Sequence, residues 1–456
     1  METNSLFKIV SYSNIYSWDV KNFLKKSSSF NPTIPLVLFG EFLSKANIKK
    51  VNIDDHQTYK ILGVRSYGKG AFINREVEGK TLKMRVYQQA EQNHLFWCKV
   101  DTKNGAFGVI NNDLSDGLGS SNMTFAKIDT AKANVDFVQL FFKSNRIYEY
   151  LDGFVTGTTN RKYIRPDQLL NEIYIPLPTL DEQNRIVDAY NSKLNLAEQQ
   201  LKEAKELEES IEKYLFEELG IVKENKKVGK EKKIFQLIKF SETQRWDALF
   251  LLDKLPAIVS SHELVKFSDI IKYFNKGENG KTIRIDSPKF PNDDFRYVGM
   301  EHIEKVTGIL LDMPEVKGKE IKSQTLRIPK NFFIYGKLRP YLNKYWINDT
   351  DFDNIICSSE FFVFDTIETL DKLFFKYVLA SKIIQNQISD KTSGARMPRI
   401  NEDIFFNLQF PLPPIEKQKE ISDKINNVKS KIKQLNSLSI KNKEEAISVF
   451  EKEIFI

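Results

Sequence analysis

Cysteine is almost missing from this chain: Cys98 and Cys357 are its two, far apart in 456 residues. That excludes a disulfide framework and fits a reducing, cytoplasmic setting. Histidine is nearly as scarce, at four, and no His or Cys pair has the spacing of a zinc cluster. No apolar run approaches the roughly 20 residues a membrane-crossing helix needs. The start, Met1-Glu2-Thr3-Asn4, lacks the basic segment and cleavage pattern of a secretory signal. Motifs for chemistry are missing too. No GxxxxGK[ST] loop is present, and Gly68-Lys69-Gly70 lacks the strand–GxGxxG–helix context, so it reads as a turn. Asn31-Pro32 runs into Thr33 and Ile34, not the second proline and aromatic of an amino-methyltransferase motif. Pro291-Asn292-Asp293-Asp294 is followed by no Glu-x-Lys at nuclease spacing and reads as a turn. Ser120-Ser121 and Ser358-Ser359 would need a histidine base to act as nucleophiles, and His56 and His94 have no aligned counterparts in the second half. The chain reads as a scaffold that binds.

What is present comes twice. Ile175-Pro176-Leu177-Pro178-Thr179-Leu180-Asp181-Glu182-Gln183-Asn184-Arg185-Ile186 is matched 235 positions later by Phe410-Pro411-Leu412-Pro413-Pro414-Ile415-Glu416-Lys417-Gln418-Lys419-Glu420-Ile421. Each copy is an apolar strand-like run, prolines that end it, and a polar turn opening a long helix. Upstream, Trp18-Asp19 aligns with Trp246-Asp247, Leu36-Val37-Leu38-Phe39 with Leu264-Val265-Lys266-Phe267, and Ile61-Leu62-Gly63-Val64 with Tyr297-Val298-Gly299-Met300. The offset drifts only between 228 and 238, as when loops differ and the scaffold does not. At 41% hydrophobic and 28% charged residues, the length implies more than one globular core.

Short strands rich in aromatics, such as Phe332–Tyr335 and Glu360–Phe364, and turns such as Lys103-Asn104-Gly105 make each unit mixed α and β. One helix is expected around Asp136–Leu151 and another around Leu370–Ile388. After each hinge the apolar positions fall three and four apart: Val187, Tyr190, Leu194, Ala197, Leu201, Ala204, Ile211 and Leu215, then Ile421, Ile425, Val428, Ile432, Leu435, Ala446 and Val449. That is a coiled-coil seam, weakened at Ser439 and Asn442, on helices of about 60 Å at 1.5 Å per residue. Such helices need a partner, and a two-fold relation between the halves makes the pair antiparallel. The expected fold is α+β, with an internal pseudo-two-fold repeat. It comprises a domain over 1–175, a long helix over 176–221, a lysine-rich linker over 222–237, a second domain over 238–409 and a second helix over 410–456. The two domains are held apart by the antiparallel helices.

The net charge of +7 permits a nucleic-acid partner without proving one. Basic residues interleave with aromatics in Lys337-Leu338-Arg339-Pro340-Tyr341-Leu342-Asn343-Lys344-Tyr345-Trp346. Arginine and lysine there suit guanine edges or phosphates, and Asn343 suits adenine. Arg396 and Arg399 after Gly394, and Arg161 and Lys162 after Gly157, precede the hinge in matching places that suit a phosphate. Lys99 aligns with Lys337, whereas Asp101 falls opposite Arg339. Lys337 and Arg396 therefore read as phosphate holders and Arg339 as a base reader. The full candidate set is Arg65, Lys69, Lys99, Lys103, Asn104, Arg161, Lys162, Lys337, Arg339, Asn343, Lys344, Arg396 and Arg399.

On these residues the chain resembles the specificity subunits of type I restriction–modification systems. The resemblance covers nearly the whole chain and is most specific at [IF]-Pro-Leu-Pro-x-[LI]-x-x-Gln-x-x-Ile opening a long helix, twice. It implies two target recognition domains, each reading one half of a bipartite, asymmetric DNA site, with the helices acting as a ruler for the gap. It also implies two adenine-N6 methyltransferase subunits and motor-nuclease subunits as partners. S-adenosylmethionine, ATP and magnesium would sit on those partners, with no cofactor and no catalysis in this chain. A fused restriction–methylation enzyme and a coiled-coil adaptor without DNA specificity are the alternatives left open by the residues.

Overall fold

The structure is a computed structural model that describes residues 30–99, 105–152, 154, 164–221, 258–276, 283–322, 324–389 and 397–456. The two Trp-Asp pairs and the lysine-rich segment 222–237 lie outside the described residues. The chain folds into two compact units, Met1–Lys202 with Leu435–Ile456, and Glu203–Gln434.

The first unit contains β1 (Leu36–Leu38), β2 (Leu43–Lys45), β3 (Lys50–Asn52), β4 (Thr58–Arg65), β5 (Gly70–Glu78), β6 (Val86–Gln89), β7 (His94–Cys98), β8 (Phe107–Val109), β9 (Leu118–Gly119), β10 (Met123–Ile128) and β11 (Tyr174–Pro176). They pair as β1-β11, β2-β10-β7-β8 and β3-β6-β9-β4-β5. The second unit contains β12 (Leu264–Lys266), β13 (Ile271–Phe274), β14 (Arg284–Ile285), β15 (Asp294–Val298), β16 (Glu315–Lys317), β17 (Thr325–Arg327), β18 (Phe333–Gly336), β19 (Tyr345–Ile347), β20 (Ile355–Ser358), β21 (Phe361–Thr366) and β22 (Gln409–Pro411). Their orders are β12-β22, β13-β21-β18-β19 and β14-β17-β20-β15-β16, the same strand for strand. Each five-stranded sheet even places a parallel pair at the same point, β4 with β9 and β15 with β20. The internal repeat read from the sequence is thus a repeat of topology.

Helices α1 (Val135–Phe141), α2 (Asn145–Asp152), α3 (Pro166–Glu172) and α4 (Leu180–Glu218) follow the strands of the first half. In the second half α5 (Phe267–Ile270) stands where the first has the 3-10 turn Phe39–Glu41, and the counterparts of the four helices are α6 (Lys372–Ala380), α7 (Lys382–Ser389), α8 (Glu402–Phe406) and α9 (Ile415–Ile454). Where one helix was expected over 136–151 and one over 370–388, each is broken in two. Buried serines cause the breaks by offering the backbone an alternative partner. The Ser144 hydroxyl accepts from Arg146 N (3.2 Å) and donates to Glu451 Oε1 (2.6 Å). Ser381 turns extended, and its hydroxyl donates to Val378 O (2.7 Å).

The hinges share a buried glutamine, and the first adds a capping box where the second has Pro414 and Lys417. In the first, Thr179 Oγ1 accepts from Glu182 N (3.4 Å) while the Glu182 carboxylate accepts from Thr179 N (3.0 Å), a capping box opening α4. Those contacts with Thr179 hold the Glu182 carboxyl below the usual carboxylate range. Gln183 is buried: its amide donates to Pro178 O (2.8 Å) and Lys132 O (3.1 Å) and accepts from Asn134 N (2.8 Å). Gln418 repeats the arrangement with Pro413 O (2.9 Å), Thr369 O (3.4 Å) and Asp371 N (2.8 Å). Asn134 and Asp371 cap α1 and α6. The motif glutamine therefore ties each long helix to the start of a shorter one.

Within the first unit the long helices run antiparallel, with Arg185 on Glu453 (3.2 Å) and Lys193 on Glu445 (2.6 Å). The expected weak points of the seam are filled by hydrogen bonds. Ser439 Oγ donates to Ala197 O (2.9 Å), and Asn442 Nδ2 to Gln200 Oε1 (3.0 Å). Buried polar pairs of this kind specify register. Leu201, assigned to the seam by spacing, is exposed; Ala197, Gln200 and Ala204 follow the drift of a 3.6-residue helix from a strict 3.5 repeat. Within the second unit the order is again antiparallel, with Lys417 on Glu218 (2.5 Å) and Lys431 on Glu203 (2.6 Å). Among the described residues no helix is long and apolar enough to cross a membrane.

Candidate nucleic-acid interface

In the second unit three loops meet at one end of the four-stranded sheet: 337–344 between β18 and β19, 359–360 between β20 and β21, and 397–400 before α8. Leu338 bridges Arg399 as an isolated β pair, and Arg339 N donates to Pro398 O (2.7 Å). Lys337 N donates to Glu360 O (2.7 Å), and Ile400 N to Lys337 O (3.1 Å). The structure thereby brings Lys337, Arg339, Asn343, Lys344 and Arg399 together, with very different side-chain fates.

Lys337 is half-buried, its ammonium on Ser359 O (2.8 Å) and over the Phe362 ring (4.9 Å). Burial holds its pKa below the ordinary lysine value, against the pull of Glu402 and Glu360. In the first unit Lys99 does the same: Nζ donates to Ser121 O (3.1 Å) and its backbone N to Asn122 O (3.0 Å). The two lysines share this one structural bond to a backbone carbonyl, which explains why the lysine recurs. Lys344 is likewise occupied, on Met300 O (2.5 Å). Arg399 makes a two-pronged pair with Glu360 (2.9 and 3.0 Å), which holds the Glu360 carboxyl below its usual range and raises the arginine.

Asn343 departs from expectation. Only 1% exposed, it donates to Leu379 O (2.9 Å) and Ala380 O (3.3 Å) at the end of α6. It cannot reach a base edge, and its part is to lock the turn. Arg339 is the opposite: exposed, with no hydrogen-bond or ion-pair partner for its guanidinium among the described residues. Both residues adopt left-handed backbone (φ +48 for Arg339, +45 for Asn343) around the short Pro340–Leu342 turn, which also exposes Tyr341.

In the first unit Arg65 is exposed, its guanidinium 4.3 Å over the Phe72 ring, and Lys69 is exposed between two glycines. As expected, Gly68-Lys69-Gly70 belongs to a turn, here the one joining β4 to β5. Lys103, Asn104, Arg161, Lys162, Arg396 and Asp101 lie outside the described residues. Reading by residue type missed Glu360 as the partner of Arg399, and it missed the exposed Tyr67 and Val306. A Tyr-Gly-Lys-Gly turn was the available signal for Tyr67; nothing local marks Val306.

Residues 260–443 match the family profile described as "Type I restriction modification DNA specificity domain". The other half of the chain repeats that segment's topology. The type I restriction enzyme MjaVIII specificity subunit of Methanocaldococcus jannaschii is 24% identical over 340 residues, 72% of this chain and 70% of that protein. Residues 260–443 thus carry the type I DNA specificity domain, and the chain as a whole is similar to a type I specificity subunit. Both descriptions are of the part of a type I restriction system that supplies DNA specificity. Solved structures agree on the fold. The specificity subunit HsdS of Thermoanaerobacter tengcongensis superposes with a TM-score of 0.51 at 12% identity, covering 92% of this chain and 96% of that one. A chain from a study of complex assembly and conformational transition of the type I R-M system gives 0.55 at 13% identity, covering 93% and 98%.

Proposed function

We propose that this chain is a specificity subunit that binds duplex DNA sequence-specifically, each unit reading one half of a bipartite, asymmetric site, with the recognition domains spanning 1–175 and 238–409. One observation carries the reading: two units of identical topology place different exposed residues at equivalent loops. Equal scaffolds with unequal reading surfaces suit two unlike half-sites. The long helices, alike in both halves, would present the same docking face twice to an adenine-N6 methyltransferase subunit. Motor-nuclease subunits would complete the complex, and S-adenosylmethionine, ATP and magnesium would be held by those partners. Mass measurement of the saturated complex is expected to give two methyltransferase subunits per chain; one per chain would refute the doubled docking face.

Arg339 is the base-reading candidate of the second unit, because its guanidinium is exposed and the turn beneath it is fixed on both sides. An arginine paired to guanine discriminates by about 1–3 kcal/mol, whereas a phosphate contact weakens all sequences alike. Arg339→Ala is expected to relax preference at one or two base pairs in one half-site and leave the other unchanged. Binding to a panel of half-site variants at two salt concentrations tests this. A uniform loss across the panel would make Arg339 an anchor only.

A further inference from the structure

The turn joining β4 to β5 carries Tyr67, at φ +58 and 61% exposed. Behind it, Gly68 (φ +62) is wedged so closely that an added Cβ would lie 2.0 Å from Phe142 O, and its N–H donates to Gly105 O (3.1 Å). The connection from β15 to β16, the topological equivalent, contains the three-residue turn Lys305-Val306-Thr307, closed by Thr307 N donating to Lys305 O (2.8 Å). Val306 stands at its apex, at φ +68 and 51% exposed. Gly308 (φ +67) presses on the Tyr345 ring, where a Cβ would lie 2.4 Å away. Val306 N donates to Leu342 O and Asn343 O (3.2 and 3.1 Å), and its carbonyl accepts from the Tyr345 hydroxyl (2.9 Å). Neither tip is loose.

A side chain in left-handed backbone is strained, and a β-branched one there is an outlier. Glycine would make either turn without strain and without exposing apolar surface. Both units nevertheless expose apolar side chains in the same topological connection: Tyr67 in the short turn over 66–69, and Val306, followed by the exposed Ile309 and Leu311, in the longer one over 299–314. Exposed cations flank each tip: Arg65 and Lys69 in the first unit, Lys305 in the second.

We propose that the β4–β5 and β15–β16 tips are equivalent base-reading elements for duplex DNA. Tyr67 and Val306 meet the methyl edge of thymine in the major groove, and Arg65, Lys69 and Lys305 hold flanking phosphates. Apolar contact with that methyl is a recognised means of base readout, while cations on phosphate fix position without reading sequence. The proposal rests on the DNA-binding function above and deepens it.

The test uses the full chain assembled with its methyltransferase subunits and a pool of duplexes carrying a randomised segment, sequenced after selection. The variants are Tyr67→Gly and Val306→Gly, which keep the backbone conformation because glycine adopts positive φ freely. The wild type is expected to enrich a two-part motif. Tyr67→Gly should lose preference roughly tenfold at one or two A·T pairs of one part, and Val306→Gly in the other part. At those pairs, uracil in place of thymine should cost the wild type a similar factor. A two-part motif left intact by both variants, or a uniform loss over all sequences, overturns the role of the tips alone. A wild type that enriches no motif overturns the DNA-reading function, and this proposal with it.

Discussion

Phe405→Ala is expected to destabilise the second unit by about 3–5 kcal/mol, the range for emptying a large aromatic from a packed core. Phe405 is fully buried on α8. Its ring centroid lies 5.2 Å from that of Phe267, 5.5 Å from Tyr335, 4.5 Å from Phe362 and 5.4 Å from Phe364. Those residues come from α5, β18 and β21, so one ring joins the four-stranded sheet to the elements that cover it. At five residues α8 is too short to hold itself, and packing keeps it in place. Arg399 and Ile400 lie just before it, so a loosened α8 would also loosen the pairing of Arg399 with Glu360 and of Pro398 O with Arg339 N. Hydrogen exchange on the full chain measures both effects, with protection expected to fall in β18 and β21. A loss under about 1 kcal/mol would mean that the neighbouring rings close over the space.

The architecture was legible because its strongest signals are local. Prolines after a strand, a polar turn and a three-and-four repeat of apolar residues each dictate backbone directly, and the second copy removed ambiguity. The helix breaks were not legible, since Ser144 and Ser381 act through burial, which a helical pattern does not reveal. The interface was legible only in its residue types. Lys99 and Lys337 align because each satisfies a backbone carbonyl at the same turn, so repetition reported structure. Asn343 looked like a base reader because asparagine suits adenine. Its left-handed backbone turns it inward onto the end of α6 instead, and that depends on contacts 36 and 37 residues away. Arg399 is matched by Glu360, 39 residues distant, a pairing that no spacing rule discloses. Of the candidates of that loop, Arg339 alone is exposed with no side-chain partner among the described residues, and only three dimensions separate it from its neighbours.

Gln183→Leu and Gln418→Leu are expected to cost about 3 kcal/mol each, and to cost nearly the same as one another. Leucine fills a similar volume, so packing changes little and the loss falls on hydrogen bonds. Each substitution strands one backbone N–H and two carbonyls, at a cost of about 1–3 kcal/mol for each group that water cannot reach and less for the exposed one. In the first unit those groups are Asn134 N, Pro178 O and Lys132 O; in the second, Asp371 N, Pro413 O and Thr369 O. The glutamines are 0% and 1% exposed and their bonds to Pro178 O and Pro413 O are buried, so the loss falls mainly there; Lys132 and Thr369 are exposed, and water can take up their carbonyls. The three-residue-later isoleucines, Ile186 and Ile421, are buried as well, which anchors each helix from a second position. Denaturant unfolding gives the totals, and hydrogen exchange assigns each loss to its unit: α1 and the start of α4 for Gln183, α6 and the start of α9 for Gln418. Matching costs would mean the repeated motif is one energetic device used twice. A cost under about 1 kcal/mol at one position and full cost at the other would show that the two hinges share a shape without sharing what holds it.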